Sequence, residues 1–156
     1  MIAMNLPDLP PTIIFVHLPP TEDGFRFSFD LKHAAMRPYI TQRWGWDEKQ
    51  QERIHRARLA EKPFWMIVET GCPIGTVSLA RSSGFLRFGE FYLWPQHQGR
   101  GIGTRILRHC LSLADELHLP VCLEHLKWNP VGALYRRHGF VVTGESENHW
   151  LMERCP

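Results

Sequence analysis

The chain of 156 residues is poor in the features that mark specialised classes. Cysteine occurs four times, at 72, 110, 122 and 155, and never as a CxxC pair. That spacing builds no thiol redox motif and no zinc knuckle, and three of the four lie in or beside apolar runs. Buried, reduced thiols in a cytoplasmic protein are expected. Nine histidines are scattered without an HExxH or Cys/His cluster, so no metal site is expected. No apolar run approaches the ~18 residues that span a bilayer. The first residues, MIAMNLPDLPP, lack a basic segment followed by an apolar one, so no secretory leader is expected. Charge of one sign is missing too. Eighteen Lys and Arg face sixteen Asp and Glu, for a formal +2. Neither nucleic acid nor an anionic membrane is expected as the main partner.

What remains is an average globular composition, 44% hydrophobic and 22% charged, in a chain of one-domain size. A single domain over 1–156 is expected, without repeats or linkers. Thr12 to Leu18 is a short β-branched run and reads as a strand. The stretch Phe25 to Ile40 has mixed periodicity and predicts one or two short helices, interrupted at Trp44-Gly45-Trp46. Asp47 is a good N-cap, and Glu48 to Ala60 reads as a helix with a wet face. Its late Arg53, Arg56, Arg58 and Lys62 suit the negative end of the helix dipole. Three apolar segments follow, Phe64 to Glu69, Pro73 to Ala80 and Phe85 to Trp94, separated by turn residues as in an antiparallel meander. A 3.6-residue stripe then runs through Ile106, Leu107, Cys110, Leu113, Ala114 and Leu117 and predicts an amphipathic helix ending before Pro120. Val121 to Leu126 reads as a strand, Asn129-Pro130 as the start of a short helix, and Phe140 to Val142 and Trp150 to Met152 as closing strands. The order gives a mixed α/β sandwich.

One segment carries chemistry: a strand feeds Gln98-Gly99-Arg100-Gly101-Ile102-Gly103-Thr104 and then the amphipathic helix. Free amides and the positive end of the helix dipole make an anion site there. Glycine lets a phosphate approach the backbone, Arg100 adds charge and Thr104 a hydroxyl. A tight strand-to-helix turn with no ligand would look similar. No Gly-Lys-Ser/Thr follows, which excludes a Walker A loop. A dinucleotide fingerprint is the rival, with Glu124 as a ribose-binding acid. The spacing is GxGxG rather than GxGxxG, however, and a meander precedes it.

Gln98 to Gly103 resembles the Q/R-x-x-G-x-G/A signature of the GNAT superfamily of N-acetyltransferases, with a similar lead-in at Phe91 to Pro95. Asn129-Pro130-Val131-Gly132-Ala133-Leu134-Tyr135-Arg136-Arg137-His138-Gly139-Phe140 is similar to the N-x-x-A-x-x-x-Y-x-x-x-G-F segment of that family, with Asn and Tyr six apart rather than seven. The resemblance is good from about Phe64 onward and rests only on element order before that. It implies a mixed, mostly antiparallel sheet flanked by helices, in which the Phe85–Trp94 and Val121–Leu126 strands splay apart. It implies acetyl-CoA as cosubstrate. Pantetheine would lie along Phe91, Tyr92 and Leu93, and the pyrophosphate on the amides of Gln98, Gly99, Arg100, Gly101, Ile102, Gly103 and Thr104. Asn129 would touch the pantetheine arm.

Acetyl transfer to an amine needs the nitrogen deprotonated, a donor for the developing oxyanion and a proton for the leaving thiolate. The resemblance makes Tyr135 the general acid, which also places it at the cofactor. The Leu93 amide is the oxyanion donor and Glu90 a candidate base, with His125, Glu124 and His97 behind it. The acceptor side falls on Arg37, Tyr39, Trp44 and Trp46: aromatic walls for the substrate, and, from Arg37 with Arg43, a hint of an anionic group. The acceptor is an amine on a small molecule, peptide or protein. A homodimer through the closing strands is expected, and a non-catalytic acyl-CoA-binding domain is the alternative function.

Overall fold

A computed structural model describes residues 2–156. Its element order is β1 (Ile2–Ala3), β2 (Ile13–His17), α1 (Glu22–Trp44), α2 (Glu48–Glu61), β3 (Trp65–Glu69), β4 (Cys72–Ser82), β5 (Phe85–Leu93), α3 (Ile102–Glu116), β6 (Val121–Leu126), α4 (Gly132–Arg137), β7 (Val141–Glu145) and β8 (His149–Arg154). The strands form one sheet in the order β2-β3-β4-β5-β6-β8-β7, with β1 paired to β4 off that path. Every pairing is antiparallel except β5 with β6. The expected mixed, mostly antiparallel sheet is therefore present. Its core gathers Ile67, Ile74, Val77, Leu79, Leu86 and Phe88 from the sheet with Ile106, Leu107, Cys110 and Ala114 from α3.

Two local features position the site. The parallel pair β5/β6 is held only at Leu86↔Val121 and Arg87↔Cys122, although both strands run on for four or more residues. Beyond Arg87 the strands part and leave strand edge unpaired, a natural seat for an extended ligand. Next to the gap, the β4/β5 register shifts between Thr76 and Ser78, and Glu90 sits at φ 46. A left-handed glutamate costs of order 1–3 kcal/mol and persists only where its surroundings fix it. Here Thr76 Oγ1 donates 2.9 Å to the Glu90 carbonyl, and the Glu90 side chain is buried.

The helices depart from expectation in two places. Phe25 to Ile40 lies within a single 23-residue helix, α1, capped by Thr21, whose side chain accepts from the Gly24 amide, and holding Pro38 in its interior. Its periodicity is mixed because the buried side includes Ser28 and Lys32 as well as Phe25, Phe29, Leu31 and Ile40. The short helix α4 begins at Gly132, three residues later than the Asn-Pro signal suggests. Asn129 Oδ1 accepts from the Val131 amide at 3.0 Å and makes the preceding turn. The thiols are free, but only Cys110 is buried, while Cys72 and Cys155 are exposed and Cys122 is half-buried beside Glu153. Apolar strand residues next to a sheet edge read as core in sequence and face solvent in the fold. On the closing hairpin, Val141, Val142 and Leu151 are exposed. No described helix is long and apolar enough to cross a membrane.

Candidate active site

A cavity of about 1120 Å³ opens between the parted strands and reaches from the glycine loop to α1 and α2. Its lining takes Gln98, Gly99, Gly101, Gly103 and Thr104 from the glycine loop and the start of α3, and Glu90, Phe91, Tyr92, Leu93, Asn129 and Tyr135 from β5 and the segment after β6. From α1 and the end of α2 it takes Lys32, Met36, Tyr39, Trp44, Arg58 and Lys62. The topology thus joins two regions that are remote in sequence, the loop before α3 and the α1/α2 pair.

The loop has the open backbone that an anion seat requires. Gly99 and Gly101 have φ 73 and 79, which glycine adopts without strain. A side chain added at either would meet nothing within 4 Å, so the backbone is open to an approaching group. Helices α1 and α2 are capped by the side chains of Thr21 and Asp47, but α3 begins at Gly101 with no side-chain cap and no acid in its first turn. Its leading amides and the positive dipole end are free for a ligand. Gln98 Nε2 donates to the Leu93 carbonyl at 2.9 Å and ties the loop to the end of β5. Arg100 turns away from the cavity: it pairs with Glu69 at 3.5 Å and lies 3.2 Å from His97 Nδ1. Ile102 points into the core, 3% exposed, so it offers only its amide.

Tyr135, 7% exposed, packs against Phe88 and Phe140 and lines the cavity. Its hydroxyl has no hydrogen-bond partner among the described residues, and burial pushes its pKa well above the usual phenol value. It therefore keeps its proton at neutral pH. His125, beside it, is tied through Nδ1 to the Leu126 carbonyl at 2.8 Å, while its buried Nε2 has no partner among the described residues and abuts Gly132. Burial lowers its pKa, so it stays neutral. Glu124 is spent on Arg87 at 3.5 Å across the strands.

Glu90 sits in a charge cluster that sequence reasoning missed. Its Oε1 pairs with Lys62 at 3.3 Å and Arg58 at 3.4 Å, and the Tyr92 hydroxyl donates to Oε2 at 3.3 Å. Burial raises the carboxyl pKa, but Arg58, Lys62 and Lys32 more than offset it and hold the group below the ordinary carboxylate range. Arg58 and Lys62 look in sequence like the basic end of a helix; the fold turns them inward. Lys32 had a readable signal: it falls on one helical face with Phe25, Ser28 and Phe29.

The acceptor-side residues divide. Tyr39 and Trp44 line the cavity. Trp46 does not: its Nε1 donates 2.7 Å to Glu48 and its ring packs on Phe29 and His33. Arg37 also lies outside, on a separate small hollow, 3.1 Å from His33 Nε2. Helical rotation explains Arg37, since residues on either side of the cavity-lining stripe of α1 face elsewhere, whereas Trp46 lies past the Gly45 cap that ends the helix. Arg43 stacks on Trp128 and reaches Glu147 at 3.8 Å.

An uncapped, glycine-lined helix start beside two parted strands, with a buried tyrosine in the gap, is the arrangement that the acetyltransferase resemblance leads one to expect. Residues 60–142, just over half of the chain, match the acetyltransferase (GNAT) domain family. The chain belongs to the GNAT acetyltransferase family. It is similar to the peptidyl-lysine N-acetyltransferase YjaB of Escherichia coli, 33% identical over 97 residues, which are 62% of this chain and 61% of that protein. The match thus spans about three fifths of that relative. Among solved structures it resembles the PaiA N-acetyltransferase from Thermoplasma acidophilum in complex with coenzyme A, with TM-score 0.72 and 15% identity over 94% of this chain and all of that one. It also resembles the ribosomal-protein-S18-alanine N-acetyltransferase from Escherichia coli, with TM-score 0.66 and 13% identity over 92% of this chain and 93% of the other.

Proposed function

We propose that this protein transfers an acetyl group from acetyl-coenzyme A to a primary amine by direct attack, with Tyr135 as general acid. The observation that carries the reading is a single cavity that joins the uncapped, glycine-lined start of α3 to the buried Tyr135 through the gap between β5 and β6. The glycine-loop amides would take the pyrophosphate, and the free edge of β5 at Phe91 to Leu93 would take the pantetheine, with Asn129 beside it. The amine nitrogen attacks the thioester carbonyl carbon, the C–N bond forms, the C–S bond breaks and sulfur leaves as thiolate. The Leu93 amide meets the charge that develops on the carbonyl oxygen. Tyr135, a protonated phenol in a dry pocket, protonates the sulfur. Of the two protons the ammonium gives up, one replaces the proton Tyr135 donated and the other leaves to solvent. Glu90 is the candidate proton acceptor, acting through water from the Oε2 side. Because its cations lower its basicity, most of the first deprotonation falls to the solvent-side equilibrium of the amine.

The acceptor is an amine. Relatives named for peptidyl lysine make lysine side chains early candidates. The test is free-thiol release from acetyl-CoA with an amine panel. Turnover by wild type that drops ~10²-fold or more in Tyr135→Phe supports the reading. Acetyl-CoA binding without thiol release for any amine would make the protein a sensor instead.

A further inference from the structure

We infer that the α1/α2 end of the cavity is a subsite for a carboxylate on the acceptor, with Lys32 and Arg58 receiving it, so that the substrate is an amine bearing a nearby anionic group. This rests on the acetyltransferase reading above and names the class of substrate for that site.

Lys32 is 2% exposed and lines the cavity, yet it makes no hydrogen bond or salt bridge among the described residues. Buried ammonium groups are almost always paired, because an unpaired buried charge is costly. Among the described residues the one carboxylate that acts on it, Glu90, is already engaged by Lys62 and Arg58 through Oε1. One buried carboxylate therefore faces three cations, and Glu61, at the same rim, is exposed. Burial, and then Arg58, depress the Lys32 pKa to about 8, as expected of an ammonium that lacks its counter-ion. His55, on the next helix, is buried and held neutral, so it supplies no charge of either sign. Phosphates of the cosubstrate would sit at the start of α3, on elements other than the α1 and α2 residues around Lys32. The segment that would reach Lys32 is the acceptor. Arg37 and Arg43, the basic residues to which sequence points, lie outside the cavity lining; the charge comes from Lys32 and Arg58. Tyr39 and Trp44 would flank the acceptor's apolar stem.

A carboxylate can come from a free amino acid or from an acidic side chain next to a peptide lysine, and matched acceptors separate the two. The first pair is 4-aminobutanoate against 4-aminobutanamide. The second is a lysine peptide with flanking Glu against the same peptide with flanking Gln. At least a tenfold preference in kcat/KM for the charged member of either pair, expressed mainly in KM, is expected, and the preferring pair identifies the source. Lys32→Met should bring that ratio toward one while retaining a thermal shift with acetyl-CoA, which shows that the variant is folded. Equal or better use of the neutral members by wild type overturns the subsite. So does a Lys32→Met ratio equal to the wild-type one. Loss of the acetyl-CoA shift in wild type would instead overturn the parent reading. Should neither pair be turned over, the ¹⁵N resonance of the Lys32 ammonium decides, assigned by its disappearance in Lys32→Met. In coenzyme A-loaded protein its titration midpoint should rise on addition of 4-aminobutanoate and not of the amide; a midpoint that ignores both overturns the subsite.

Discussion

Glu90→Gln is the perturbation from which most follows, because one buried carboxylate holds a cluster of cations together. The substitution keeps the shape and the left-handed backbone but removes the charge that Arg58 and Lys62 meet at 3.4 and 3.3 Å. Removing one partner of a buried pair costs about 3–5 kcal/mol. The Arg58 side chain is 37% exposed and can turn to water, whereas that of Lys62 is 13% exposed. The lower end, ~3 kcal/mol, is therefore expected, a fall in Tm of roughly 6–12 °C for a chain of this size. Denaturant titration of wild type, Glu90→Gln, Lys62→Met and the double variant would measure it. The double variant should recover a part of the loss larger than additivity allows, a coupling of about 1 kcal/mol or more. If Glu90→Gln is as stable as wild type, or the cycle is additive, the carboxylate does not organise this end of the cavity. Activity separates its roles: a ~10²-fold fall in kcat at all pH values fits a base, a smaller fall dominated by KM fits charge compensation.

Tyr135→Phe should leave stability within about 1 kcal/mol by urea titration, since the hydroxyl has no partner to lose among the described residues. Gly101→Val, at φ 79 with open space around it, should cost about 1–2 kcal/mol in strain, yet weaken acetyl-CoA binding tenfold or more by calorimetry. His55 is held neutral in the core, its pKa lowered by burial and by Lys32 to about 4. A depressed folded-state value means the unfolded chain binds the proton first. Stability from this group is thus complete above pH 6.5 and lost toward pH 4, and His55→Leu should flatten that limb of the denaturation profile. Lys32, depressed to about 8 from 10.5, adds a second window with the same sign: stability should rise between pH 8 and 10.5, by an amount of order 3 kcal/mol, and Lys32→Met should remove the rise.

Much of the donor half was legible in sequence because it is local. A strand, a glycine turn and an amphipathic helix are consecutive, and the apolar stripe of α3 recurs at the helical period over its whole length. The hairpins were legible for the same reason: Thr70 and Gly71 both have positive φ, as befits a tight turn. The acceptor half depends on contacts between residues far apart in the chain, such as Lys62 with Glu90, 28 positions away. No periodicity reports those. The short β1 was missed because two residues gain strand form only by pairing with Arg81 and Ala80. Trp46 looked like a pocket wall, yet past the Gly45 cap its half-buried ring packs on Phe29 and His33 and its Nε1 donates to Glu48, contacts no periodicity reports. The bulge that turns Glu90 inward is flanked by Gly89, and a lone glycine within a strand run is the mark of such an irregularity.

The central claim is that the open start of α3 and the gap between β5 and β6 receive acetyl-coenzyme A. Thermal unfolding with and without ligand tests it most directly. At a hundredfold excess over Kd, a ligand that binds only the folded state adds about 2.7 kcal/mol, roughly 5–11 °C here. That rise is expected with acetyl-CoA, with its loss in Gly101→Val and no rise with NAD. No shift with saturating acetyl-CoA, or an equal shift in Gly101→Val, would contradict the claim.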